Sequence, residues 1–243
     1  MRIAGPGQKH ASMVWLEPLR VHAGSQFHPI SGPEAVADLA RILANLPAGP
    51  TCWVVDDALV PTLLLRDIVE LPPGGDAREG FFQWRYRQDL MLEGPQFVQA
   101  LALGENAWLL AGMPQELRDA WVQVATAAGR PMRRLIPRWL WIYNDLAPDR
   151  EVPGLLVSLS AQGDGTFTGT LAAWGKNLIL LRQWAEPADL EAWNQERVLP
   201  TIAYLQRDAR SPQEIHVWGV PRWPDCGLPV RILQPEIPAQ ESL

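Results

Sequence analysis

The side chains best placed to do chemistry are two adjacent carboxylates, Asp56 and Asp57, which close the apolar run Cys52-Trp53-Val54-Val55. In open α/β enzymes the carboxyl ends of buried strands open into the ligand crevice, so carboxylates at that point are candidate catalytic groups. Neighbours in an extended strand point to opposite faces, and both can attend one substrate only if the strand ends between them. The competing reading is a turn before Ala58, because Asp side chains bond nearby backbone amides. A second candidate is QGDGTFTG, Gln162 to Gly169, a glycine-rich loop between strands whose backbone amides could cradle a phosphate. Asp164-Gly165 is also a favoured pair for a tight hairpin turn, which accounts for both residues without a ligand.

Other chemistries lack their residues. His10, His22, His28 and His216, with Cys52 and Cys226, form no compact metal-ligand spacing, so no metal site is expected. There is no GxSxG elbow, no Walker lysine loop and no GxGxxG, and therefore no expected catalytic residue or cofactor. A net charge of −6, with Lys9 and Lys176 as the two lysines, argues against nucleic acid as a partner. Arg130, Arg133, Arg134 and Arg138 are a local concentration, read as solvated charge around a helix start; the alternative is a stripe meeting acidic lipid or a carboxylate-rich partner. Cysteines this sparse suit a reducing compartment, with Cys52 as a small core residue. No segment approaches the ~20 consecutive apolar residues of a membrane span, and MRIAGPGQKHASM lacks the apolar centre of a signal peptide, so a cytoplasmic placement is expected.

The elements that must position these groups follow from pattern. With 243 residues, 47% of them hydrophobic, the chain can hold one large domain or two small ones. Residues 1–12 read as a flexible lead-in, followed by short strands at Met13 to Glu17 and Leu19 to Ala23. Val36, Leu39, Leu43 and Leu46 mark a helix opened by Pro33. Thr51 to Val55 is a strand; Thr62 to Leu71 also fits a helix, but the flanking prolines favour a strand. Asp76 is expected to cap a helix from Ala77 to Leu90. Phe97 to Leu103 and Ala107 to Ala111 make a hairpin, and Pro114 opens an amphipathic helix through Leu117, Trp121 and Val124 to Gly129. Ile136 to Asn144 reads as a buried helix before the acidic, Pro-rich break NDLAPDREVPG, the best candidate for a subdomain boundary. Leu155 to Ser160, Phe167 to Trp174 and Leu178 to Trp184 form a three-stranded meander. A helix bent at Pro200 runs from Pro187 to about Asp208, Ile215 to Trp218 is a short strand, and a Pro-rich tail follows.

In order and texture, from about Val14 to Pro221, the chain resembles the PilM family of type IV pilus assembly proteins and the cytoplasmic part of the type II secretion protein GspL. The resemblance rests on the strand with its Asp pair, on LLLRDIVELPP, on the helix AREGFFQWRYRQDL and on the hairpin FVQALALGENAWLLAGMP. It continues through the helix region QELRDAWVQVATAAGRPMRRLIP and the segment LLVSLSAQGDGTFTGTLAAWGKNLILLRQW. It implies an α/β chain with a reduced actin-like, ribonuclease H-like fold, in which mixed sheets are flanked by helices. The implied division is residues 13–150, with a small inserted subdomain at about 76–130, then 151–223, and a tail at 224–243. In nucleotide-binding proteins of that fold the second phosphate hairpin begins with an Asp-x-Gly sequence. Ser158 and Ser160 stand there instead, supplying no carboxylate and placing a side chain where glycine would let amides approach phosphate. The adenine-side strand and turn resemble IHVWGVPRW, which keeps Gly219 but has Val220 and Pro221 after it, and no first phosphate loop is visible around Val14 to Ala23.

The resemblance therefore implies a non-catalytic cytoplasmic scaffold at the inner face of the membrane, holding the tail of a PilN-like single-span membrane protein; self-association is left open. The alternative is an actin-like ATPase or kinase with diverged loops. The residues expected to meet a partner are Trp84, Arg85 and Arg87. Phe81, Phe82, Trp84 and Tyr86 are spread too widely around their helix for one buried face. Aromatic and Arg side chains are typical interface anchors, and guanidinium groups bond carboxylates or carbonyls bidentately. The rival reading buries the helix between two layers with its arginines snorkelling outward.

Overall fold

The computed structural model describes residues 12–24, 26–68, 70–104, 106–145, 152–207 and 210–233. The chain divides into two compact units, the first ending at Arg138 and the second beginning at Trp139. The first is built on a five-stranded sheet of order β3-β2-β1-β4-β8, from β1 (Ser12–Glu17), β2 (Arg20–Ala23), β3 (Gln26–Pro29), β4 (Thr51–Val55) and β8 (Met132–Pro137). The first three strands are antiparallel, and β1, β4 and β8 run parallel.

Alternation along these strands sends Val14, Leu16, Val21, Trp53 and Val55 into one core. Helices α1 (Val36–Ala44) and α3 (Gln115–Ala127) cover it with Leu39, Ile42, Leu43, Trp121, Val124 and Ala125, the stripes their 3.6-residue spacing foretells. The two buried indoles of this core find partners: Trp53 donates to Thr51 Oγ1 at 2.9 Å and Trp121 to the Pro33 carbonyl at 2.8 Å.

Between β4 and α3 the chain builds a smaller body. Its three strands, β5 (Thr62–Leu65), β7 (Ala107–Pro114) and β6 (Gln96–Gly104), lie in that order and are antiparallel. Helix α2 (Gly75–Asp89) packs on them through Phe82 and Tyr86, against Leu65 and Leu110.

The second unit repeats the strand order of the first sheet. Its members are β9 (Gly154–Ala161), β10 (Thr166–Trp174), β11 (Leu178–Pro187), β12 (Glu214–Trp218) and β13 (Val230–Leu233), in the order β11-β10-β9-β12-β13. Again three antiparallel strands are followed by two parallel ones. One face is covered by α5 (Leu190–Trp193), a π turn (Asn194–Val198) and α6 (Leu199–Arg207), whose Trp193, Val198, Ile202 and Leu205 meet Leu155, Val157 and Leu171. Helix α4 (Arg138–Asp145) starts at the division between the units.

Several local expectations are corrected. Met132–Pro137 is a strand beside β4, not the approach to a helix, because parallel pairing in the sheet overrides its two exposed or half-buried arginines. The segment expected as a strand from Thr62 to Leu71 is extended only to Leu65; Asp67 then takes a positive φ of 57°, and Val69 lies outside the described residues. Helix α2 has Gly74, not Asp76, at its cap, with Asp76 in the first turn. The small body spans β5 to β7, since the apolar stripe of α3 belongs to the larger sheet. The helix expected from Pro187 starts at Leu190 under an Asp189 cap, and five-residue π hydrogen-bonding ahead of Pro200 absorbs the irregularity. Residues 230–233, expected within a tail, form a strand parallel to β12, and residues 1–11 and 146–151 lie outside the described residues.

Candidate functional site

The carboxylate pair at the end of β4 is buried, Asp56 at 1% and Asp57 at 2% exposure. Asp56 Oδ1 accepts the Ala58 N–H at 2.9 Å, and its carbonyl accepts from Leu59 and Val60, which is the turn reading of the sequence. The other oxygen, Oδ2, accepts from Arg138 Nη1 at 2.8 Å, and Arg138 Nη2 stands 3.9 Å from Asp57 Oδ2. Sequence reasoning placed Arg138 in solvated surface charge, yet it is only 4% exposed. Burial works to lower its pKa, but Asp56, Asp57 and Glu17 outweigh that and raise it. The signal was positional: Arg138 follows β8, which runs parallel to β4, so both strands deliver their last residues to the same end. Two buried carboxylates thus share one guanidinium in an internal ion cluster. Arg130, from the same run of arginines, donates to the carbonyls of Leu46 and Ala128 and ties the ends of α1 and α3 together.

The loop at 162–166 is a hairpin turn. Asp164 Oδ1 accepts from Thr166 N at 3.0 Å and from Thr166 Oγ1 at 2.7 Å, and both bonds hold its carboxyl below the usual range. Ser158 and Ser160 are buried on the face of β9 away from α5 and α6. Register sets Ser158 beside Thr170 and Trp218, and Ser160 beside Thr168. Gln183 Nε2 donates to Thr170 Oγ1 at 3.0 Å, so the neighbourhood is one of neutral hydroxyls and an amide. Gly219 is held at φ 97°, and a Cβ there would stand 2.0 Å from the Leu159 carbonyl oxygen.

On the small body, α2 leaves a large ring in the open. Phe82 and Tyr86 face its sheet, Phe81 is half-buried, and Trp84 remains 55% exposed, so α2 does not bury all four rings. Tyr86 anchors the helix: its hydroxyl lies 2.7 Å from the Pro61 carbonyl and 2.8 Å from that of Gly112, and burial raises its pKa well above the usual phenol value. Gly112 is required there, because a Cβ would meet the Tyr86 ring at 2.9 Å.

Along the outer side of α2 runs a groove of about 770 Å³ that includes Trp84, Gln83, Arg87 and Met91 and, beyond the helix, Gln96 and Gln115. Of the three residues expected to meet a partner, the structure brings Trp84 and Arg87 into this groove. Arg85 is outside it, bonded to Asp89 at 2.8 Å with its guanidinium 5.8 Å from the Trp84 ring centre.

Met91 was not foreseen. It is 90% exposed and sits at φ 52°, in the left-handed position after α2 that glycine usually takes. Leu92 N–H to Arg87 O at 2.9 Å and Met91 N–H to Gln88 O at 3.4 Å complete the helix stop. Met91 thus brings an exposed thioether to the groove lining from a backbone position where a Cβ is disfavoured.

No family model matches the chain, and no curated protein sequence matches it. Solved structures do. The cytoplasmic domain of EpsL, an inner-membrane component of the type II secretion system of Vibrio cholerae, superposes with a TM-score of 0.52 at 12% identity, covering 91% of this chain and 88% of that one. The PilM–PilN type IV pilus biogenesis complex superposes at 0.54 and 11% identity, covering 86% and 81%. The mixed α/β architecture is the actin-like fold of these structures.

Proposed function

We propose that the chain is a non-catalytic scaffold of an inner-membrane assembly platform of the type IV pilus or type II secretion kind, holding the cytoplasmic tail of a PilN-like membrane protein. The observation that carries this is the shared fold over most of both chains with the EpsL cytoplasmic domain and PilM–PilN structures. Two features of the chain support it. Where nucleotide-binding relatives need a carboxylate, β9 has buried serines among threonine hydroxyls, and the Asp pair of β4 is committed to Arg138. Where a partner would dock, Trp84 and Arg87 stand in one open groove, a flat apolar ring beside a cation that can take a carboxylate or a carbonyl.

Titration of the purified chain with the tail of its membrane partner tests this. Trp84→Ala with Arg87→Ala is expected to weaken binding by about 2–4 kcal/mol, the range of interface anchors, while the melting temperature stays within a degree or two. Unchanged affinity in a folded double variant removes the groove from the interface. Stabilisation by Mg-ATP, about 2.7 kcal/mol at a hundred times Kd and read as a raised melting temperature, together with release of phosphate would overturn the non-catalytic reading in favour of a nucleotide hydrolase.

A further inference from the structure

Among the described residues no further strand pairs with the small sheet beyond β6. Strand β6 pairs with β7 alone, and in its nine residues, QFVQALALG, it carries no charge and no proline. Edge strands normally carry such residues because their open backbone groups template the pairing of another strand. The direction of those groups follows from the register. Gln115 N–H bonds Pro95 O and Gly112 N–H bonds Pro61 O, and in antiparallel pairs hydrogen-bonded positions alternate. Phe97, Gln99 and Leu101 therefore bond to β7, whereas Val98, Ala100 and Ala102 turn their N–H and C=O groups outward. Among the described residues no backbone hydrogen bond outside the β6–β7 pairing reaches these three, and Ala100 and Ala102 are exposed.

The edge continues into the groove, since Gln96 opens β6 and also lines the groove beside Trp84, Arg87 and Met91. Arg87 is the one charged side chain of that lining, in a chain whose net charge is −6. On the sheet face away from α2, Leu64, Leu109 and Leu101 stand in register across the three strands, a row that a fourth strand would extend with an apolar residue.

We infer that β6 receives an extended segment of a partner protein as a fourth strand of the small sheet, apolar at alternate positions. An Asp or Glu of that segment, beyond the strand, enters the groove and meets Arg87. The inference rests on the reading of the groove as a partner site and adds the mode of recognition, backbone pairing with side-chain pockets at alternate positions.

The test uses a phage-displayed library of random dodecapeptides selected on the purified full chain. Enriched peptides are expected to alternate apolar residues next to an acidic one and to slow amide exchange at Val98, Ala100 and Ala102. Ala100→Pro removes one outward N–H without touching the bonds to β7 and is expected to weaken these peptides about tenfold, the worth of one good hydrogen bond. Because that variant can lose its fold for other reasons, the same peptides carrying single backbone N-methyl groups are titrated against the unaltered chain, where alternate positions are expected to lose about the same factor. Peptides that lose affinity with Trp84→Ala but tolerate both Ala100→Pro and every N-methyl group would overturn strand addition and leave the groove reading standing. Peptides indifferent to all of these changes would overturn both. Enrichment of no sequence, or a dimer that Ala100→Pro dissolves, overturns the partner segment, the latter in favour of a second copy.

Discussion

Replacing Arg138 with Met should be among the most damaging single changes in the first unit. The guanidinium is 4% exposed, bonds Asp56 at 2.8 Å and stands 3.9 Å from Asp57, so its loss removes the cation that faces both buried carboxylates. Removing one partner of a buried pair costs about 3–5 kcal/mol, and the second carboxylate places this case at the upper end. Against a total stability of roughly 5–15 kcal/mol that loss is a large fraction. Urea unfolding followed by tryptophan fluorescence reads it as a lowered midpoint. Adding Asp56→Asn and Asp57→Asn should restore part of the midpoint, because an amide is far cheaper to bury than a carboxylate. A deficit under about 1 kcal/mol, the worth of an exposed ion pair, would refute the buried-cluster account.

Tyr86→Phe leaves the Pro61 and Gly112 carbonyls without their shared donor and should cost about 1–3 kcal/mol in thermal or urea unfolding. Because burial raises the phenol's pKa, the tyrosine contributes stability that is whole below pH ~10 and declines as pH rises above it; the Phe variant should lack that decline. Met91→Gly relieves a left-handed Cβ and should raise stability by about 1 kcal/mol while weakening tail binding in the same titration; weaker binding without stabilisation would show that the φ of 52° carries no strain. Gly219→Ala must move the backbone of β9 or its own turn, and a loss of about 1–3 kcal/mol is expected; a melting temperature equal to the parent's would refute the close approach.

Helices α1 and α3 were legible because each presents one apolar stripe to one sheet, and the β9–β11 meander because glycine-bearing turns separate its strands. Strand β8 was not, since Arg133 and Arg134 interrupt any alternation and its stability comes from parallel pairing with β4, a contact 80 or so residues away in sequence. Strand β3 is four residues at an edge, too short for a period to show. The ion cluster was half visible: the Asp pair marked a strand end, but nothing in the local sequence separates Arg138 from Arg133, which is exposed. The aromatic spread on α2 did point to its open side, where Trp84 and Arg87 lie. Arg85 pairs with Asp89 at i, i+4 and lies outside the groove lining, a placement that the sequence does not separate from that of Arg87. Met91 depends on a backbone angle that a methionine in sequence does not announce.

The chain leaves the larger sheet for the small body after Val60 and returns at α3, and these two crossings are adjacent, with Gly112 N–H bonded to Pro61 O at 3.3 Å and the Tyr86 hydroxyl closing over both. Some fifty residues are therefore attached through one hydrogen-bonded pair of strands, braced by Gln115 N–H to Pro95 O at 3.1 Å and by Arg118 over the Phe97 ring. An attachment of that kind makes the small body portable. Its surface can diverge, lengthen or be exchanged in evolution without re-registering the five strands beneath it, and a short turn from Pro61 to Gly112 is the natural scar of its excision.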